Sequence, residues 1–163
     1  MPFQPRPELI KDLQAISEDL FDATKPARVT IRIDTTNDPD YPVLGEARAP
    51  GVSSLTGGMS QVGYKPMDIH QTSTLIFIRD RRKMLVQRDV RVDPPRIPEL
   101  LDYYGCLSQM LTPVEWKRRF VGIVSVHNIE QRDWTEQDKA AIKDATLRVE
   151  RELEQATWFD ITC

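Results

Sequence analysis

The chain has 163 residues, 40% of them hydrophobic and 29% charged, which suits one globular domain that buries a single core without staples. A net charge of −3 provides no broad basic surface, so neither nucleic acid nor an anionic membrane is an expected partner. No apolar run approaches the ~20 residues that cross a bilayer, "MPFQPRPELI" lacks the order of a signal peptide, and two cysteines, Cys106 and Cys163, are too few for a disulfide framework; the cytoplasm is the expected location.

Residues 1–6 carry two prolines and read as a loose terminus. From Pro7 to about Thr24, Leu9, Leu13, Ile16 and Leu20 recur at helical steps, with Pro7 and Glu8 suited to a first turn and Lys25-Pro26 to a stop. "ARVTIRID" alternates, with Val29, Ile31 and Ile33 on one side and Arg28, Thr30 and Arg32 on the other, the mark of a strand. "TTNDPDY" is a turn cluster, and "PVLGEARA" reads as a second strand, across a gap longer than a tight hairpin turn. Gly51 to Pro66, with its glycines and little periodicity, reads as a loop of functional character.

"STLIFIRDRRK" is ambiguous: propensity favours a strand, whereas Leu75, Ile78 and Arg82 fit a helix. "MLVQRDVRVD" alternates through Val86, Arg88, Val90 and Val92, which predicts a strand that "DPPRIP" ends. "ELLDYYG" reads as a short helix stopped at Gly105. Strands are expected over Cys106 to Val114 and Phe120 to Asn128, joined by the five residues "EWKRR". Thr135, with Asp138 three residues on, resembles a capping box. It opens a helix to about Ala156, whose stripe Ile142, Ala145, Val149, Leu153 and Ala156 suits a sheet or a partner helix. "TWFDITC" reads as a tail. The pattern predicts an α+β fold with helices on one face of a mostly antiparallel sheet.

Four stretches carry a family resemblance. "MLVQRDVRVDP" resembles a strand ending in an aspartate and a loop, with Asp89 in the aspartate position; "YYGCLSQMLTPV" supplies glycine, serine and proline at Gly105, Ser108 and Pro113; "FVGIVSVHN" has its internal glycine at Gly122; and "RDWTEQDKAAIKDATLRVEREL" resembles the start of a closing helix. In order and spacing they resemble the GAF domain, a small-molecule-binding sensor module, over roughly residues 7–155. The resemblance implies a GAF-like (PAS-related) antiparallel sheet of five or six strands, with N- and C-terminal helices on one face and loops and short helices over the other. It implies a single domain at 7–157 with a tail at 158–163, makes "TSTLIFIRDRR" a helix, and puts a ligand between the sheet and the inserted segments.

The candidate ligand-binding residues are Tyr103, Tyr104, Cys106, Ser108, Asp89, Arg91 and His127. His127 ends a strand on which Val121, Ile123, Ser125 and His127 are expected to share a face; it reads as a pocket contact, or even a metal or haem ligand, against a plain rim histidine. His70 lies in a linker, and two histidines without acids or cysteines at ligand spacing make no metal site. Tyr103 and Tyr104 suit stacking on an aromatic guest, or a half-buried apolar contact. Arg88 and Arg91 flank Asp89, and Arg79, Arg81, Arg82 and Lys83 precede it, suited to a carboxylate or phosphate clamp or to a solvated face. Cys106 would need a lowered pKa and access to react. The family includes free methionine sulfoxide reductases, but Cys106 departs from their cysteine positions. No phosphate-loop, dinucleotide or nucleophile-elbow motif is present.

These observations predict a stand-alone sensory or regulatory domain, non-enzymatic, that binds a small organic ligand, forms a homodimer and signals to a downstream protein. No cofactor is specified: nucleotide, aromatic acid, haem and tetrapyrrole all suit the family. An enzyme acting through Cys106 or His127, and an interaction module with a self-filled pocket, are the alternatives.

Overall fold

The computed structural model describes residues 6–34, 41–55 and 73–155. The loose terminus, the turn cluster, most of the glycine-rich insert with His70, and the tail lie outside the described residues.

Helix α1 (Pro7–Thr24) begins on its proline and ends on Lys25, whose left-handed backbone lets its N–H donate to Phe21 O at 2.7 Å. Strands β1 (Arg28–Ile33) and β2 (Val43–Arg48) follow, then α2 (Ser73–Arg81), β3 (Leu85–Gln87), α3 (Glu99–Tyr104), β4 (Ser108–Trp116), β5 (Arg119–Asn128) and α4 (Glu136–Gln155). The five strands form one antiparallel sheet in the order β2-β1-β5-β4-β3, an α+β fold of the expected kind. No helix among the described residues is long and apolar enough to cross a membrane.

The terminal helices lie together on one sheet face. Leu9, Leu13, Ile16 and Leu20 of α1 meet Ile142, Ala145, Val149 and Leu153 of α4 and the inward side chains Val29, Ile31, Met110, Val114, Val124 and Val126 in one core cluster. Burial of each large side chain stabilises the fold by about 1.5–3 kcal/mol. The α4 stripe that suggested a dimer seam is thus consumed within the chain, with Ile142, Val149 and Leu153 fully buried. Gly45 lets α1 approach β2 closely: a Cβ there would sit 2.5 Å from Ser17 Oγ and 2.8 Å from Leu13 O. At the start of α4, Thr135 and Asp138 form the reciprocal capping box, each backbone N–H donating to the other's side chain at 3.0 Å. Arg132 bridges the two helices, donating to Thr24 O at the end of α1 and pairing with Asp138 at 3.2 Å, a cation placed where the end of a helix favours one.

The stretch that its own pattern left ambiguous and the family resemblance made a helix is α2, as that resemblance implied: Leu75 and Ile78 bury together on Leu85, Leu111 and Ile123 while Ile76 stays exposed, a helical and not an alternating pattern. Three expectations are corrected. The strand expected over 84–93 ends at Gln87. Asp93 accepts the Arg88 and Asp89 N–H groups at 2.7 and 2.9 Å, and Asp89 accepts the Arg91 N–H at 2.9 Å, so side-chain carboxylates replace the ladder partners. Val90 is then buried while Val92 is 62% exposed. The connection at "EWKRR" is a two-residue turn, Lys117–Arg118, with both residues at positive φ (50° and 65°), the geometry that matches strand twist. Finally, the β4–β5 register shifts between Val114 and Glu115. This bulge turns Val121 into the helix-side core, away from the face of Ile123, Ser125 and His127.

Candidate functional site

The face of the sheet opposite the terminal helices carries the polar half of the strand alternation. Arg28, Thr30 and Arg32 of β1 stand beside His127, Ser125 and Ile123 of β5, and His127 and Ser125 stand beside Gln109 and Leu111 of β4. Helices α2 and α3 and the 49–55 segment cover this face. Arg28, Thr30, Gln109, Ser125 and His127 are therefore all buried, which an amphipathic strand taken alone would not suggest. Between floor and cover is a cavity of about 60 Å³, enough for a few waters or a small organic group. Its floor is Thr30, Arg32, Gln109, Leu111, Ile123, Ser125 and His127; its walls are Thr74 and Leu75 of α2, Leu100 and Tyr104 of α3, and Leu55.

Arg28 organises the cover. Its Nε and Nη2 donate to Ser53 O at 3.1 and 2.8 Å, Nη2 also to Ser53 Oγ at 2.9 Å, and Nη1 to Tyr104 O at 3.0 Å and His127 Nδ1 at 3.3 Å. One guanidinium thereby ties the 49–55 segment, α3 and β5 together. Burial lowers its pKa, against the field of Glu46, yet an arginine remains charged. Because a guanidinium only donates, Nδ1 of His127 accepts, and the neutral ring carries its hydrogen on Nε2. Burial first, then the Arg28 and Arg32 charges, holds the His127 pKa well below 6.5, so the ring is an uncharged donor at neutral pH. The Tyr104 ring stacks on it, with centroids 6.5 Å apart and 20° between planes.

A second polar chain anchors α3. Gln109 Nε2 donates to Gln87 Oε1 at 2.6 Å, and Gln87 Nε2 donates to Asp93 O and Pro95 O, each at 2.8 Å. These bonds fix the turn after β3 that leads into the tyrosine-bearing helix.

Of the seven candidate residues, Tyr104 and His127 line the cavity. Tyr103 is 38% exposed, beside Tyr104 with ring centroids at 6.2 Å. Cys106 is fully buried among Val90, Ile97 and Leu100, its thiol pushed up to about 12 by burial. Ser108 donates to Glu130 O at 2.7 Å. Asp89 accepts Arg91 Nε and Nη2 at 2.9 and 2.7 Å and Gln131 Nε2 at 2.7 Å, bonds that hold its carboxyl well below the usual range, Arg91 foremost. Asp89 and Arg91 together brace the 88–93 turn against the 129–133 segment. Arg28, Gln109 and Thr74 escaped the sequence reading; the one available signal was the polar side of the β1 alternation, which gains meaning only once the second face is covered. No group of three or more histidine, cysteine or acidic residues able to hold a metal occurs among the described residues.

The GAF domain family model matches residues 8–153. This chain belongs to the GAF family. Solved GAF structures share its fold: a domain from Synechocystis sp. in its photoproduct state has a TM-score of 0.74 at 16% identity, covering 94% of this chain and 98% of that one. The phycocyanobilin-bound GAF domain of a cyanobacterial phytochrome has a TM-score of 0.71 at 17% identity, covering 92% and 86%. The free methionine-R-sulfoxide reductase of Neisseria meningitidis, solved with its substrate, has a TM-score of 0.66 at 13% identity, covering 90% and 78%. No curated protein sequence matches the chain.

Proposed function

We propose that this GAF domain is a sensory or regulatory module that binds a small organic ligand in the cavity over β1, β4 and β5. The observation that carries the proposal is the buried polar constellation itself. A sheet face covered only for stability would be apolar, because burying Arg28, Gln109 and His127 costs more than burying aliphatic side chains of the same volume. Here Gln109 and His127 line an open space, with Arg28 bonded to His127 behind it.

The reading favours a small guest over a tetrapyrrole such as that of the phycocyanobilin-bound relative, because the cavity among the described residues measures about 60 Å³ and Cys106 lies in a separate cluster. Thiol catalysis by Cys106 is disfavoured on the same ground, since a buried thiol that stays protonated is a poor nucleophile. We therefore place the protein with the non-enzymatic members, in the cytoplasm, where a free thiol such as Cys106 persists.

Signal would leave through the cover. Ligand contact with Thr74, Leu100 or Tyr104 would shift α2 and α3 relative to Arg28 and Ser53, and so alter the surface that a downstream partner or a second copy reads. Native mass spectrometry of the purified protein tests the reading: a stoichiometric small molecule that is lost on His127→Phe substitution supports it. An empty protein whose crystal structure fills the cavity with its own side chains refutes it.

A further inference from the structure

The net charge conceals a local excess of the opposite sign. The segments "RDRRK" (79–83) and "EWKRR" (115–119) hold seven cations against Asp80 and Glu115, +5 in a chain of net charge −3, so the rest of the chain carries −8. The fold brings the two segments together at the β4–β5 turn. Arg82, just past α2, donates from Nε to Arg79 O at 2.7 Å and from Nη1 to Arg118 O at 3.3 Å, and pairs with Glu115 at 3.8 Å. All seven cations are exposed. Arg79 pairs with its neighbour Asp80 at 3.1 Å, whereas Arg81, Lys83, Lys117, Arg118 and Arg119 form no ion pair among the described residues. The bordering acid Glu150 accepts the Glu115 N–H at 2.7 Å. Like charges crowded in this way repel one another, and a bound anionic group relieves that repulsion.

Two features set the cluster apart from a plain solvated run. Three of its cations rest on aromatic rings: Arg81 over Phe77 at 4.8 Å, Arg82 over Phe120 at 5.7 Å and Lys117 over Trp116 at 4.6 Å. These contacts position long side chains in advance, so that less rotamer freedom is lost on binding. The second feature is α2 itself. Thr74 and Leu75, near its amino end, line the cavity, and Arg79 and Arg81 stand in its last turn, about 10 Å along one rigid element.

We infer that this basic cluster is the docking surface for an acidic segment of a partner protein, and that α2 couples it to the cavity. The choice of partner follows from the charge map. The rest of the chain repels a polyanion long enough to run beyond the cluster, and the three rings are covered by cations instead of open to bases, so nucleic acid is the poorer complement. An anionic membrane would likewise press its charge against the acidic remainder. A short carboxylate-rich segment meets the cations alone. The docking surface stands without a ligand; its coupling to the cavity rests on the sensing reading above.

The test uses the full-length chain and a dye-labelled oligoglutamate peptide, with binding read by fluorescence anisotropy at constant pH. Saturable binding is expected at low salt, weakening at least about tenfold between ~50 and ~500 mM ionic strength, because the contacts are exposed. Lys83→Gln, Arg118→Gln and Arg119→Gln together should weaken binding about tenfold. They should leave the melting temperature unchanged or raised, since none of the three side chains forms an ion pair or a ring contact among the described residues. Lys25→Gln, Arg88→Gln and Arg96→Gln, the same change of net charge at the opposite end of the sheet, should leave binding as in the wild type. Peptide binding should also shift the methyl NMR signals of Thr74 and Leu75, because coupling between two sites is reciprocal. Absence of saturable peptide binding, an equal loss in both triple variants, or tighter binding of oligothymidylate or of phosphatidylserine vesicles than of the peptide would overturn the docking surface. Docking that leaves the Thr74 and Leu75 methyls unmoved would overturn the coupling. Either failure is distinct from an empty native mass spectrum, which removes the sensing reading and leaves the docking surface standing.

Discussion

Acidification should expose the cost of charging His127. The ring is 7% exposed and held neutral by burial and by the Arg28 and Arg32 charges, whereas in the unfolded chain it titrates near 6.5. The folded pKa is depressed, so below 6.5 the unfolded state binds more protons and stability falls as pH falls. A ring that stays uncharged throughout loses about 1.4 kcal/mol of stability between about pH 7.5 and pH 5.5, from RT ln(1 + 10^(6.5 − pH)) at the two ends. His127→Gln removes the titration while keeping a side-chain acceptor for Arg28. The raised pKa values of Glu150 and Glu152, both due first to burial, and the depressed Asp89 carboxyl are common to both proteins and cancel in the difference. Urea unfolding of wild type and variant at a series of pH values reads that difference directly. Parallel stability profiles, or an imidazole that titrates near 6.5 by NMR in the folded protein, would show that His127 is not in the environment described.

Three other outcomes follow from the geometry. In a Cys163→Ser background, Cys106 should not react with a thiol reagent at mild alkaline pH until the protein is denatured, because burial pushes the thiol to about 12; fast native labelling would contradict this placement. Gly122→Ala should destabilise by about 3 kcal/mol or more in denaturant titrations, since the new Cβ would stand 2.1 Å from Arg32 O across the β1–β5 ladder. Replacing Lys117–Arg118, both at positive φ, by Asn–Gly should raise stability by about 1 kcal/mol in the same assay, and a loss would mean that the turn geometry is otherwise.

Much of the fold was legible locally. The spacing of Leu9, Leu13, Ile16 and Leu20, the alternation of Val29, Ile31 and Ile33, and the pairing of Thr135 with Asp138 each express an interaction within a few residues of sequence, and each appears in the structure as expected. The order of elements supported the GAF resemblance for the same reason. The misread segments depend on side chains acting against the local pattern. Asp89 and Asp93 end β3 by capturing backbone N–H groups, and a bulge reverses the direction of Val121.

The sequence by itself therefore determined α1, α4, the strands β1, β4 and β5 and the apolar face on which α1 and α4 pack, because periodicity is a property of neighbouring residues. Tertiary structure alone decided the candidate site. Arg28, Gln109 and His127 come from distant strands that meet only through the ladder β1-β5-β4. Their meaning changed when α2 and α3 covered the second face: a polar strand side that would be hydrated in isolation became a desolvated set of donors around a hollow, and desolvation depends on what the rest of the chain excludes, not on the residue itself.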